Sequence, residues 1–386
     1  MKLDTFYNHV DLYRKEKIVY AHFLKPHRVL STSRMNGGVH ENLDYLVNHQ
    51  SCEPCKHSDT DLVEVYVKDP ARYMKRITSK AGIETTKAAI LSTAANMNNA
   101  ATQRATFNGL EVVAVCTAGV GGNAGRAGDP ASYEQTADGV KSLGRPTPPA
   151  GTIISMLFIN QELTPGALLI AATVATEAKT AVLHELSTPS RYSGSLATGT
   201  GTDQIGIAAQ LGTEVVHHDA NKHSKLGELI GQAMEGALRQ ALNLQCGMTP
   251  DARRSSIVQL ERFGDTQERF IADITAALPE AARTLFTENF LAINHDPVTV
   301  GTVQAYVHLK DQITWGVLPE SCAKDSLLYQ AGLIARAVCG KALAPETFLT
   351  NWKTGDLAHS NDDFLQLIHN AFATGFALKW QGRFED

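Results

Sequence analysis

GLEVVAVCTAGVGGNAGRAGD, Gly109 to Asp129, is the stretch on which the fold turns. It opens with an apolar run of strand length and continues into a loop holding five glycines, Asn123, Arg126 and Asp129. Gly119, Gly121 and Ala124 match a dinucleotide-binding turn by letter. The context excludes that function. Such a turn opens a helix whose N-terminus meets the pyrophosphate, whereas GRAGDPASYE runs on through another glycine and a proline with no helical period. No GxxxxGK[ST] occurs. Two readings of the loop stay open. Its bare backbone N–H groups can hold carbonyls, amides or a developing oxyanion, or its glycines serve a tight turn with positive φ.

Working outward, VYAHFL and RVLSTS read as strands, MNGG as a turn and LVEVYV as a half-buried strand. TTKAAILSTAANMNNA reads as an Ala-rich helix with a Thr cap. After the linker GRPTPPAG come the strand TIISMLFIN and the long helix TPGALLIAATVATEAKTAVLHEL, with proline at its start. SLATGTGTD then forms a turn, QIGIAA a strand and KHSKLGELIGQAMEGALRQALNL an amphipathic helix. The alternation predicts an α/β fold, a mixed sheet with helices. The two halves also look alike, so an internal pseudo-duplication is expected, with CTAGVGGNAGRAGD and LATGTGTD as equivalent turns meeting in one cleft at strand ends. Past CGMTPDARR the Gly-Thr clusters thin out and helical periodicity takes over. Residues 1–250 are therefore expected to form one domain and 251–386 a mostly helical C-terminal one, a cap or dimerisation module.

The chain has 386 residues and a net charge of -5, with 35 basic residues scattered among 40 acidic ones, so nothing marks a nucleic-acid partner. No signal-type apolar region opens it and no window approaches a membrane span, which places it in the cytoplasm without a membrane partner. Six cysteines fit reduced thiols. CEPC with His57 is half of a zinc site at most, a surface loop otherwise. Homo-oligomerisation stays open.

Several polar groups suit chemistry. In ATGTGTD, Thr198, Thr200 and Thr202 share one side if extended and end at Asp203, offering a nucleophile with support or a polar turn. In TVATEAK, Glu177 and Lys179 are two apart and cannot share a helix face, so one of them points inward. HHDANKHSKLGE brings His217, His218, Asp219, Lys222, His223 and Glu228 close in sequence, without the HExxH spacing. Asn36 and His40 flank the NGG turn, which exposes its neighbours. No GxSxG elbow occurs.

Taken in order, VLSTSRMNGG, TTKAAILSTAANM, VVAVCTAGVGGNAGRAGD, GTIISMLFIN, LTPGALLIAATVATEAKTAVL, YSGSLATGTGTDQIGIAA and KHSKLGELIG resemble the CbiZ family of adenosylcobinamide amidohydrolases. The resemblance spans roughly residues 25–245. It implies hydrolysis of the amide joining aminopropanol to the corrin side chain, giving adenosylcobyric acid and 1-amino-2-propanol in corrinoid salvage. The partner is then adenosylcobinamide, whose cobalt belongs to the substrate. No cofactor is required and no metal ligand is assigned. A corrinoid carrier or sensor without catalysis is the alternative. The resemblance carries no residue roles, so the assignment rests on the residues themselves. Catalytic candidates are His40, Glu177, Thr198, Thr200, Asp203 and His223. Substrate-binding candidates are Asn36, Thr117, Gly119, Asn123, Arg126, Asp129, Lys179, Thr202 and Lys222. Either a hydroxyl attacks the amide, with His223 or Glu177 as base and the 119–123 backbone as oxyanion hole, or water is activated by His40, His223 or Asp203 acting as bases or metal ligands.

Overall fold

Six strands open the chain: β1 (Lys2–Phe6), β2 (Val10–Lys15), β3 (Ile18–Phe23), β4 (His27–Ser31), β5 (Gly38–His40) and β6 (Tyr45–Gln50). The computed structural model describes residues 1–51, 69–144, 151–342, 344–348, 352 and 354–381. Next come α1 (Pro70–Ala81), β7 (Ala88–Thr93), β8 (Ala101–Phe107), β9 (Leu110–Ala118) and β10 (Ala124–Gly125). An exposed hairpin, β11 (Tyr133–Thr136) and β12 (Gly139–Ser142), leads to β13 (Ile153–Ile159), β14 (Glu162–Leu163) and α2 (Pro165–Glu185). The first unit ends with β15 (Gly199–Thr200), β16 (Gln204–Gln210), β17 (Val216–His217) and α3 (Lys225–Cys246). The chain divides into two compact units, Met1–Met248 and Thr249–Asp386.

Unit one holds two main sheets, ordered β1-β2-β3-β6-β7 and β5-β4-β16-β13-β9-β8. Strand alternation sorts their side chains into layers. Ile154, Met156 and Phe158 of β13 meet Val19, Leu46 and Leu91 between the sheets, while Ile153 and Leu157 face α2 and α3. On the far side of the first sheet, Tyr73, Met74 and Ile77 of α1 cover Val47 and Ile90. The result is four layers: helix, sheet, sheet, helices. Burial of β9 and β13 on both faces explains their unbroken apolar sequences. α2 is long and apolar enough to cross a membrane by length and composition. Its face of Ala167, Leu168, Ala171, Val174, Ala175, Ala178 and Val182 packs instead into the protein core.

The duplication is present, with members other than those expected. β2-β3-β6-α1-β7 and β8-β9-β13-α2-β16 have one connectivity: a hairpin, a third strand antiparallel to the second, a helix, and a fourth strand parallel to the third. Two expectations are corrected. TTKAAILSTAANMNNA is no helix: a 3-10 turn at Thr85–Lys87 leads into β7. Ala88 and Ile90 face α1 while Ala89 and Leu91 face the other sheet, so two-sided burial overrides the alanine preference for helix. Strict alternation of strands and helices also fails, because the first fifty residues form antiparallel strands. LVEVYV and CEPC with His57 lie outside the described residues.

Unit two is helical among the described residues: α4 (Pro250–Arg253), α5 (Ser256–Leu260), α6 (Gln267–Ala277), α7 (Glu280–Asn294), α8 (Pro297–Thr314), α9 (Ala323–Cys339) and α10 (Asn361–Trp380). Phe270, Phe286, Tyr306, Phe364 and Phe372 form its core. Several of its buried polar groups are paired. His369 lies 2.9 Å from Asp265 and 3.1 Å from Asp273, and Lys310 Nζ donates to the carbonyls of Leu357 and Ala358.

Candidate active site

The end of β9 and the starts of β13 and β16 share one sheet edge, because β13 runs antiparallel to β9 and parallel to β16. The glycine loop after β9 and the Thr-Gly loop before β16 therefore converge. They pair as β10 with β15, Ala124 opposite Thr200 and Gly125 opposite Gly199. This edge lies at the N-terminal ends of the parallel strands β13 and β16, opposite to the end that open α/β sheets use for ligands. α2 leaves the far end and returns, so its second half overhangs the loops, and Thr180 Oγ1 donates to the Thr198 carbonyl at 3.1 Å.

Asp203 anchors the helix-side half of the site. Its carboxylate accepts from Lys179 Nζ (2.5 Å), Thr200 Oγ1 (2.5 Å), Thr200 N–H (3.1 Å) and Ile153 N–H (3.0 Å). Four donors occupy the lone-pair positions of two carboxylate oxygens. Asp203 thus organises the edge, holding Lys179, Thr200 and the start of β13 together. Only glycine fits at 199, since a Cβ there would lie 2.3 Å from Asp203 Oδ2 and 2.9 Å from Lys179 Nζ. Beside this pair opens a cavity of about 130 Å³ lined by Thr32, Ser155, Thr176, Lys179, Asp203 and Gln204 among others.

Toward the other sheet, Asn123 is 3% exposed, and its Nδ2 donates to the Gly151 carbonyl at 2.9 Å. Its Oδ1 accepts from Tyr192 OH at 2.6 Å. Thr202 Oγ1 donates to the same Gly151 carbonyl at 3.1 Å and lies 2.6 Å from Thr152 Oγ1. Asp129 accepts from Arg126 N–H (2.7 Å) and Ser190 Oγ (2.6 Å). Burial alone would raise its carboxyl, but the Ser190 and Arg126 hydrogen bonds hold it below the ordinary value. Thr198 Oγ1 accepts from Ala127 N–H, tying the two loops together. The first sheet adds Asn48, whose Nδ2 donates to Thr117 Oγ1 at 2.9 Å, and Thr93, whose Oγ1 donates to the Thr152 carbonyl. Cys116 is no nucleophile: burial pushes its thiol up to about 12, and its sulfur meets Met234.

Of the sequence-derived candidates, Thr117, Gly119, Asn123, Arg126, Asp129, Lys179, Thr198, Thr200, Thr202 and Asp203 gather here, Gly119 through its N–H to the Thr152 carbonyl. Five do not. Glu177 turns away from Lys179 to an exposed ion pair with Lys222, and the neighbouring His223 is exposed. Asn36 donates to the Ala88 carbonyl in a left-handed turn, a structural role. His40 bonds the Gly37 carbonyl and pairs with Val29, which pairs with Ala208. Ala208 is five residues along β16 from Asp203, about 16 Å at the rise of a strand. Among the described residues, no three His, Cys, Asp or Glu side chains form a ligand set.

Thr152, Ser190, Tyr192, Gln204 and Thr93 escaped the sequence reading. Only Thr152 left a signal: it is the hydroxyl between Gly151 and an apolar strand whose even positions face the first sheet.

Residues 3–250 match the family model of CbiZ, adenosylcobinamide amidohydrolase. An uncharacterized protein of Methanocaldococcus jannaschii is 36% identical over 232 residues, 58% of this chain and 86% of that protein. Among solved structures, the PH0078 protein from Pyrococcus horikoshii is 13% identical, with a TM-score of 0.29 over 61% of this chain and 77% of that one, a likeness too slight to carry an argument.

Proposed function

Because this chain belongs to the CbiZ adenosylcobinamide amidohydrolase family, we propose that it hydrolyses the aminopropanol amide of adenosylcobinamide to adenosylcobyric acid and 1-amino-2-propanol, at the edge bounded by Asp203, Asn123 and Thr152. The observation that carries this reading is the cavity beside Lys179 and Asp203. Its 130 Å³ equals on the order of four water volumes, too small for a corrin ring but enough for one short arm. The ring then stays outside, its carboxamides against the loops that hold Asn123, Arg126 and Tyr192. Hydroxyl attack is favoured over metal-activated water, because the hydroxyls of Thr152 and Thr202 meet at 2.6 Å beside fixed amide donors. Cobalt enters only as part of the substrate. The reaction is assigned to the cytoplasm, without nucleic acid or membrane.

The test is incubation with adenosylcobinamide followed by chromatography. Free 1-amino-2-propanol with a more acidic corrinoid is the expected result. Corrinoid recovered bound and unchanged would make the protein a carrier.

A further inference from the structure

The Gly151 carbonyl is clasped by two side-chain donors, Asn123 Nδ2 at 2.9 Å and Thr202 Oγ1 at 3.1 Å. Both donors therefore already lie next to the oxygen on which charge would develop if the Gly151 carbonyl carbon were attacked. The next residue is Thr152, 5% exposed, and its hydroxyl lies 2.6 Å from Thr202 Oγ1. Asn123 is fixed for this task by Tyr192, which occupies its Oδ1. Gly151 reaches the clasp because it lacks a side chain: a Cβ there would stand 2.9 Å from the Gly119 oxygen and 3.1 Å from Asn123 Cβ. Meanwhile, among the described residues, no histidine or carboxylate hydrogen-bonds to either threonine hydroxyl, and Asp203 is filled by its four donors. A hydroxyl that must attack external amides repeatedly needs a base, and one known solution is the α-amine of an N-terminal threonine.

We propose that the chain cleaves its own Gly151–Thr152 bond and that Thr152, thus made N-terminal, is the nucleophile for the amide substrate; this second part rests on the function proposed above. With Thr202 donating to the Gly151 carbonyl, the Thr202 oxygen can accept the proton of Thr152, as the reaction needs. Thr152 Oγ attacks the Gly151 carbonyl carbon, its proton passes to Thr202, and the Thr202 proton passes to the forming oxyanion. The tetrahedral centre collapses by breaking the bond from carbon to Thr152 nitrogen, and the proton returns to that nitrogen. An ester between Gly151 and the Thr152 hydroxyl and a free amine result. Water then hydrolyses the ester, leaving the Gly151 carboxylate and restoring the hydroxyl. The freed α-amine has an ordinary value near 7.7–8.0, suited to receive the hydroxyl proton in later turnovers. The two products stay together, because β13 remains paired with β9 on one side and β16 on the other.

Intact mass and N-terminal labelling of the purified full-length chain test this directly. Expected are two co-eluting chains, one ending at Gly151 and one beginning at Thr152. T152S still cleaves, T152A stays whole, and N123A slows cleavage by about tenfold or more. A wild-type chain that stays whole on prolonged incubation overturns the proposal, as does a cut at another bond or one that persists in T152A. Corrinoid turnover on the same sample separates the two ideas. A whole chain that releases aminopropanol keeps the proposed function and loses the self-cleavage, and a cleaved chain without turnover does the reverse.

Discussion

The two halves of unit one have the same strand connectivity, and the candidate site described above lies in the second. In the first half, the residue ahead of the final strand is Lys87, whose Nζ donates to the Asn42 carbonyl. In the second half that position is Asp203, with four donors. The first half closes this end with plain backbone bonds such as Asp44 N–H to the Lys87 carbonyl, while the second inserts two glycine loops there. Topology supplies an edge, and the loops line it with polar groups. The comparison breaks most sharply on paired substitutions. Asp203→Ala removes the acceptor that holds Lys179, Thr200 and the start of β13, and is expected to lower kcat/KM on adenosylcobinamide roughly 10²- to 10³-fold. Lys87→Ala at the equivalent place is expected to change it by less than about threefold. Equal losses would mean that position in the fold, not the polar cluster, matters.

Deeply buried histidines lie away from this polar edge. His27 and His49 both lie in the first ninety residues, and the cluster around Asp203 holds none. Burial lowers His27 to about 4, although its Nδ1 faces the Lys25 carbonyl. Burial, helped by the charges of Lys17, Lys80 and Arg76, lowers His49 to about 3. Both are neutral when folded and would take up a proton near pH 6.5 when unfolded. The unfolded state therefore binds more protons below pH 6.5, and stability falls as pH drops from there to about 4 for His27 and about 3 for His49. The loss is about 1.4 kcal/mol per pH unit and histidine, on the order of 3 kcal/mol for His27 across its window. Denaturant midpoints between pH 7 and pH 4 measure it, and a midpoint flat across that range would contradict the neutral burial of both rings.

How much of this was legible beforehand follows from the same contrast. β9, β13, α2 and α3 announce themselves because each is long and keeps one pattern, and the glycine loops mark the edge because few other roles need five glycines together. β7 misleads: AAILST is apolar at every position but two, and six residues buried on both faces carry no period to separate strand from helix. The two Gly-Thr turns, although they pair with each other at one edge, suggest a repeat. Its true members lay hidden, because their likeness is in connectivity and not in residues. Of the site, the members within the two loops were readable from composition. Glu177 and Lys179 could be told apart only by knowing which face of α2 meets the sheet. Thr152 gave almost no signal, since a threonine at the head of an apolar strand is common there for its shape alone.

Metal dependence sharpens the comparison at a smaller scale. A site made of hydroxyls, amides and two carboxylates that already accept several donors is expected to keep its turnover within about twofold after dialysis against a chelator. Loss on chelation with recovery on adding one divalent ion would shift the chemistry to a metal that these residues were not seen to gather.

The smallest effects belong to the outer face of α2. Glu177 and Lys179 are neighbours in sequence and opposites in setting: Lys179 is 13% exposed against Asp203, while Glu177 is 49% exposed against a 68% exposed Lys222. An exposed ion pair contributes under about 1 kcal/mol, because water screens both charges and two long side chains must be held. Glu177→Gln and His223→Ala are therefore expected to leave kcat/KM within about threefold and stability within about 0.5 kcal/mol. Lys179→Gln, by contrast, strips Asp203 of the cation it holds at 2.5 Å and should resemble Asp203→Ala. If Glu177→Gln matched Lys179→Gln instead, the general base would lie on the outer face of the helix, and the edge between the two sheets would be only a scaffold.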